Sequence, residues 1–203
     1  MLEVRFHGRG GQGAVVASEL LAAALFKEGQ FVQAFPAFGV ERRGAPVAAF
    51  IRMDSAPIRL RCQIYNPDHV VVLDPTLIPA VDVTAGLQPE GWILINSDRD
   101  PQTFSHFHES GWRVATIDAG AIAVAHDLGT RTNPIVNTAI LGAVARVIGL
   151  VKLDSIAEAI GEGVPIRPQD NVAAARDAYD RVKIGSAVTE EAGAKVDSGR
   201  KRR

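Results

Sequence analysis

FHGRGGQGAVV, Phe6 to Val16, gathers four glycines into one short stretch. The alternating segment Leu2–His7 leads into it, and the alanine-rich segment Ala14–Lys27 (AVVASELLAAALFK) follows. This pattern predicts a strand, a glycine turn and a helix. Glycine permits positive φ and lets a bulky ligand approach the backbone. The free N–H groups and the dipole at a helix start favour an anion. Gly8, Gly10, Gly11 and Gly13 therefore read as a phosphate cradle, with Arg9 and Gln12 placing a charge and an amide at its mouth. The competing reading gives the glycines no task beyond a tight strand-to-helix crossing.

Read from Gly8, the spacing satisfies G-x-G-x-x-G. A nicotinamide site also needs an acid at the end of the second strand to hold a ribose. The second predicted strand, Phe31–Phe35, runs into Pro36 without one, and Glu41 is the first acid after Gly29. A standard NAD site is discounted. A Walker-type loop is excluded, because no Lys-Ser or Lys-Thr follows the last glycine.

Further along, Gly29 should stop the first helix, and Pro36–Pro46 (PAFGVERRGAP) reads as a loop. Val47–Arg52 reads as a strand, with Ile58–Arg61 expected to pair with it as a hairpin through Asp54-Ser55. Val70–Asp74, Trp92–Asn96 and Val114–Asp118 are short apolar runs suited to strands buried on both faces. Helices are expected at Pro134–Ile148, Leu153–Ile160 and Asn171–Ile184. Strands alternating with helices imply an α/β fold, a Rossmann-like, three-layer, doubly wound and mostly parallel sheet, made mixed by the hairpin. One domain is expected over residues 1–184. The polar residues 185–203 read as a tail, disordered or laid on another subunit.

The chain has 203 residues, 47% of them hydrophobic, enough for a sizeable core. A formal net charge of −1 gives no general attraction to nucleic acid, apart from the basic end Arg200–Arg203. No apolar run is long enough to span a membrane, and no secretory signal is visible, so a cytoplasmic setting is expected. The single cysteine, Cys62, can hold neither a disulfide nor an iron–sulfur cluster by itself.

A second unusual stretch is FGVERRGAPV, Phe38–Val47. Together with GRGGQG, with PDHVVVLDPTL (Pro67–Leu77) and with NPIVNTAILGA (Asn133–Ala143), it resembles the gamma subunit of 2-oxoacid:ferredoxin oxidoreductases of the pyruvate synthase type. Asn171 before an alanine-rich helix also fits. The resemblance fades after about Ile184. It implies a multi-subunit enzyme that oxidatively decarboxylates a 2-oxoacid, pyruvate before others, to an acyl-CoA and carbon dioxide. Electrons pass to ferredoxin or a similar acceptor. It also implies that thiamine diphosphate, magnesium and [4Fe-4S] clusters sit in alpha, beta and delta-type partners, and that this chain is not catalytic alone but helps bind coenzyme A (CoA) and close the active site. By the same resemblance the CoA-binding set is Gly8, Arg9, Gly10, Gly11, Gln12 and Gly13 with Glu41, Arg42, Arg43 and Gly44. One arginine of the pair would meet phosphate or carboxylate, the other an acid such as Glu41. A subunit contact without a ligand remains an alternative for this loop. For the whole chain, a stand-alone nucleotide-binding module and a purely structural adaptor remain alternatives.

Asn133-Pro134 reads as a helix cap with proline at the first position, placing Asn137 on the first turn beside the strand ends where open sheets bind ligands. Asp74 and Asp118 end apolar strands and read as turn caps. His7 is expected to steady the glycine turn, and Cys62 to pack on a strand. His106 and His108 would share a face if they lay on a strand, but no third ligand stands nearby, and no metal site is expected.

Overall fold

The computed structural model describes residues 1–37 and 43–185. β1 (Leu2–Arg9) leads through the glycine turn into α1 (Ala14–Lys27), and Gly29, at φ 82°, ends that helix. β2 (Phe31–Pro36) and β3 (Pro46–Asp54) follow, then β4 (His69–Val72), β5 (Trp92–Asn96), the short helix α2 (Ser105–Glu109), β6 (Arg113–Ile117) and α3 (Ala119–Ala125). A two-residue hairpin, β7 (Gly129–Thr130) with β8 (Asn133–Pro134), precedes α4 (Ala139–Val147), α5 (Leu153–Gly163), α6 (Pro168–Arg181) and β9 (Lys183–Ile184).

The sheet order is β2-β3-β1-β4-β5-β6-β9. β1, β4, β5 and β6 are parallel, whereas β3 is antiparallel to both β1 and β2, and β9 to β6. The sheet is thus the mixed α/β sheet expected, but the mixing arises elsewhere. Ile58–Arg61 forms no strand. Both edges of β3 are already occupied, and Pro57 removes a donor just upstream.

Alternation sorts each strand between two faces. Val4, Phe6, Ala49, Ile51, Val71, Leu94, Ala115 and Ile117 point to one side, where they pack with α1, α3, α4, α5 and α6. Val70, Val72, Ile93, Ile95 and Val114 point to the other, under Leu77, Val83, Leu87, Phe104 and Phe107. Helix α1 lies on β1–β3 and is itself covered by α5, as its dense apolar sequence requires.

All three predicted helices change their limits. The helix expected from Pro134 begins at Ala139, because Asn133 and Pro134 fold back on Thr130 and Gly129. Asn133 is therefore no helix cap; its N–H donates to Thr130 Oγ1. α5 runs on to Gly163. α6 starts at Pro168, a proline at the first helical position, and stops at Arg181, leaving Lys183–Ile184 to pair with β6. His106 and His108 lie on α2, where a spacing of two separates their directions. Cys62 is exposed and off the sheet.

Candidate functional site

β1 is the point where the chain order reverses. It is followed by β2 and β3 on one side and by β4, β5 and β6 on the other. Open α/β sheets bind ligands in the crevice at such a switch point, beyond the strand C-termini. Here that crevice lies between the glycine turn after β1 and the residues after β4.

The turn is tightly specified. Gly11 and Gly13 have φ of 95° and 77°. A Cβ on Gly13 would also come within 2.6 Å of Asn137 Nδ2. The bend brings Asn137, more than a hundred residues away in sequence, against the start of α1. Asn137 Oδ1 accepts from the Thr138 N–H at 3.0 Å, which leaves the amide NH₂ turned toward the turn. Gly13 itself caps α1, and α1 has neither a side-chain cap nor an acid in its first turn. Among the described residues no acceptor meets the N–H of Gly11, Gly13, Ala14, Val15 or Val16.

Arg9 and Gln12 are committed inward. Arg9 Nε donates to Asp74 Oδ2 at 3.0 Å, Nη1 to the Gly44 carbonyl at 3.1 Å and Nη2 to Thr76 Oγ1 at 2.8 Å. Gln12 accepts from the Arg9 N–H at 2.7 Å and donates to Asp74 Oδ2 at 2.9 Å. Asp74 is the hub. Burial would raise its pKa, but hydrogen bonds from Thr76 and Gln12 and the charge of Arg9 outweigh that and hold it below the usual carboxylate range. It caps the turn at Thr76, as expected, and also ties β4 to the glycine turn. Asp118 likewise caps α3, through the Ala121 N–H.

The charged loop is fastened to the same turn. Gly10 N–H donates to the Ala45 carbonyl at 2.9 Å, and Gly44 N–H to the Gly10 carbonyl at 3.0 Å. Arg43 is exposed, with its Cγ beside Gly11. Among the described residues Arg43 has no hydrogen bond or ion pair. Glu41 and Arg42 lie outside the described residues. The sequence-predicted set thus divides: Arg9 and Gln12 brace the turn, while Arg43 lies beside Gly11, Asn137 lies against Gly13, and the start of α1 has no side-chain cap.

Residues that motif reading did not single out complete the frame. Asn96 donates to the Leu73 carbonyl at 2.9 Å and accepts from the Ala119 N–H at 3.0 Å, stitching β4 to α3. Thr76 anchors Arg9. Their signal in the sequence was a place at the end of an apolar strand for Asn96 and just past one for Thr76. His7 sits below the turn on the sheet's second face. Its Nε2 accepts from Arg5 Nε at 2.9 Å. Burial, then the Arg5 charge, lower its pKa to about 4. His7 therefore holds Arg5 rather than the glycine turn.

The pyruvate ferredoxin/flavodoxin oxidoreductase family matches residues 3–181. The chain belongs to that family. It is a gamma-type subunit. It is 53% identical to the pyruvate/ketoisovalerate oxidoreductases common subunit gamma of Pyrococcus furiosus, over 91% of this chain and 98% of that one. It is 51% identical to pyruvate synthase subunit PorC of Methanothermobacter thermautotrophicus, over 90% and 97%. The solved pyruvate oxidoreductase subunit PORC of Thermotoga maritima shares the fold at TM-score 0.77 and 37% identity, over 91% of this chain and 98% of that one. A fourth protein shows the fold alone. It is the 2-oxoglutarate:ferredoxin oxidoreductase of Magnetococcus marinus, solved with 2-oxoglutarate, coenzyme A and succinyl-CoA bound. The match has TM-score 0.66 and 20% identity, over 88% of this gamma-type chain and 30% of that longer one. No helix among the described residues is long and apolar enough to cross a membrane.

Proposed function

We propose that this gamma-type subunit acts in a multi-subunit 2-oxoacid oxidoreductase that converts pyruvate, with CoA, to acetyl-CoA and carbon dioxide, and that its glycine turn binds part of CoA. The observation that carries this reading is the start of α1, where among the described residues no acceptor meets the first N–H groups, beside an exposed Arg43 that has no ion pair among those residues, at the β1/β4 switch point. CoA brings a pyrophosphate and a 3′-phosphate. Free backbone N–H groups at a helix start and a guanidinium are suited to both. The Magnetococcus protein, solved with CoA bound, contains a region of this fold. The names of the close relatives, pyruvate synthase and pyruvate/ketoisovalerate oxidoreductase, favour pyruvate.

The geometry supports a division of labour within this proposal. The N–H groups of Gly11, Gly13 and Ala14 meet a phosphate. Arg43 neutralises it from the loop side, and the Asn137 amide adds a neutral donor. Arg9, held by Asp74, Thr76 and Gly44, keeps the loop and the turn in register. The chain contributes no group to carbon chemistry. Thiamine diphosphate with magnesium, which would supply that chemistry, and the [4Fe-4S] clusters belong to alpha, beta and delta-type partners, and ferredoxin takes the electrons.

The test is anaerobic purification of the tagged chain from its host, with partners identified by mass spectrometry and dye reduction measured. Co-purification of a thiamine diphosphate-binding chain and a cysteine-rich chain, with dye reduction requiring both pyruvate and CoA, is the expected result. A lone chain, or dye reduction indifferent to CoA, would overturn the proposal.

A further inference from the structure

Helices α4 and α6 run side by side in the same direction, joined at three levels. Thr138 Oγ1 donates to Asn171 Oδ1 at 2.7 Å. One turn on, Gly142 is pressed against Ala175, so closely that a Cβ there would fall 1.7 Å from the Ala175 carbonyl oxygen. A further turn on, the Arg146 guanidinium lies over the Tyr179 ring, 5.3 Å from its centre. The middle and last contacts are packing. The first is a polar bond between two buried side chains, 1% and 4% exposed, in an otherwise apolar layer.

Asn171 is itself held on its other side. Its Nδ2 donates to the carbonyls of Arg167 at 2.8 Å and Ile166 at 3.2 Å. Arg167 has a φ of 51°, a left-handed conformation that turns its carbonyl back toward the first turn of α6. With its NH₂ fully engaged, Asn171 offers Thr138 only its oxygen. The Thr138 hydroxyl is thereby oriented, and with it the backbone of Asn137. The Thr138 N–H then takes Asn137 Oδ1 at 3.0 Å, turning the Asn137 NH₂ to Gly13. The chain of contacts runs Arg167 carbonyl, Asn171, Thr138, Asn137 and finally the start of α1.

We infer that Asn171 is a positioning residue for CoA binding, acting through Thr138 to fix the donor amide of Asn137 at the start of α1. This rests on the proposal that the glycine turn takes CoA. A purely structural role would tie α4 to α6 and nothing more, but the Gly142–Ala175 and Arg146–Tyr179 contacts already do that.

The experiment uses the assembled complex, with dye reduction by pyruvate followed as CoA is titrated. Thr138→Val removes the hydroxyl at constant shape. It should raise KM for CoA about fivefold, the worth of one hydrogen bond, while kcat at saturating CoA changes less than about twofold. Thr138→Ser should restore the native KM. Asn137→Ala combined with Thr138→Val should be no worse than Asn137→Ala alone, because no amide remains to be positioned. Asn171→Ala should resemble Thr138→Val; if it does not assemble, the Thr138 pair decides. Additive penalties in the double variant would overturn the inference, as would a native KM in Thr138→Val accompanied only by a lower melting temperature. Arg43→Ala separates the two proposals. If it raises KM and Thr138→Val does not, only the positioning role fails. If neither does, the CoA reading fails and takes the inference with it.

Discussion

The two faces of the sheet are built differently. On the helical face, Val4, Phe6, Val71 and Leu94 meet Leu21, Leu25, Ile140 and Val144 in an almost wholly apolar layer. The opposite face is apolar over β4 and β5, carries one buried hydroxyl, Thr116, on β6, and turns polar over β1 and β3. There Arg52 is 1% exposed and ion-paired with Glu3, its Nη2 donates to the Gln63 carbonyl, and Phe35 lies against its guanidinium. Arg5 is buried beside it, donating to the carbonyls of Val83 and Ala85 and to His7. Helices present repeating apolar rows and cover a sheet by area alone. Irregular segments expose carbonyls, and buried carbonyls need donors. Arginines in the sheet supply them.

If this is the right contrast, the polar corner should be the more fragile. Glu3→Ala strips Arg52 of its carboxylate and should cost about 3–5 kcal/mol in denaturant unfolding, the usual result of breaking a buried pair. Replacing both partners, Glu3→Leu with Arg52→Met, should recover much of that loss. A double variant as unstable as Glu3→Ala would show that the backbone carbonyls, not the charge, hold the corner.

On the helical face, Leu25→Ala should cost about 3 kcal/mol through lost burial and a cavity. Its effect should add to that of Glu3→Ala, because the two lie on opposite sides of the sheet. A cost above that of Glu3→Ala would reverse the contrast.

The mildest test is titration. His7 has a folded pKa of about 4 against an ordinary 6.5, through burial first and then the Arg5 charge. Between these values the unfolded chain binds a proton that the folded chain does not. Stability should therefore fall as pH drops from about 6.5 to about 4, with no contribution from His7 above that window. Thermal unfolding across this range should be flatter for His7→Gln than for the native chain. Equal slopes would mean that His7 is not held neutral.

The same contrast explains what was legible in the sequence. β1, α1, β5 and the α/β class followed from periodicity and from the glycine turn, because those elements obey local rules. The hairpin expected at Ile58–Arg61 failed because occupancy of both β3 edges is a property of the whole sheet. Asn133 had the composition of a helix cap, yet the chain folds it into a hairpin with Thr130, which no local pattern announces. Asn137 was expected on a helix's first turn, but it precedes α4, which begins at Ala139, because Asn133 is in the hairpin rather than capping a helix. At the site, the glycines could be found from the turn and the motif. The commitment of Arg9 to Asp74 and Thr76, and of Asn171 to Thr138, could not, since each joins residues more than thirty positions apart.

In the function proposed, the start of α1 and Arg43 form a CoA subsite framed by Arg9. The most direct measurement is the KM for CoA of the assembled complex carrying Arg43→Ala. Loss of one charge-assisted contact should raise it about tenfold or more, with kcat at saturating CoA little changed. An unaltered KM in a fully assembled complex would contradict the account.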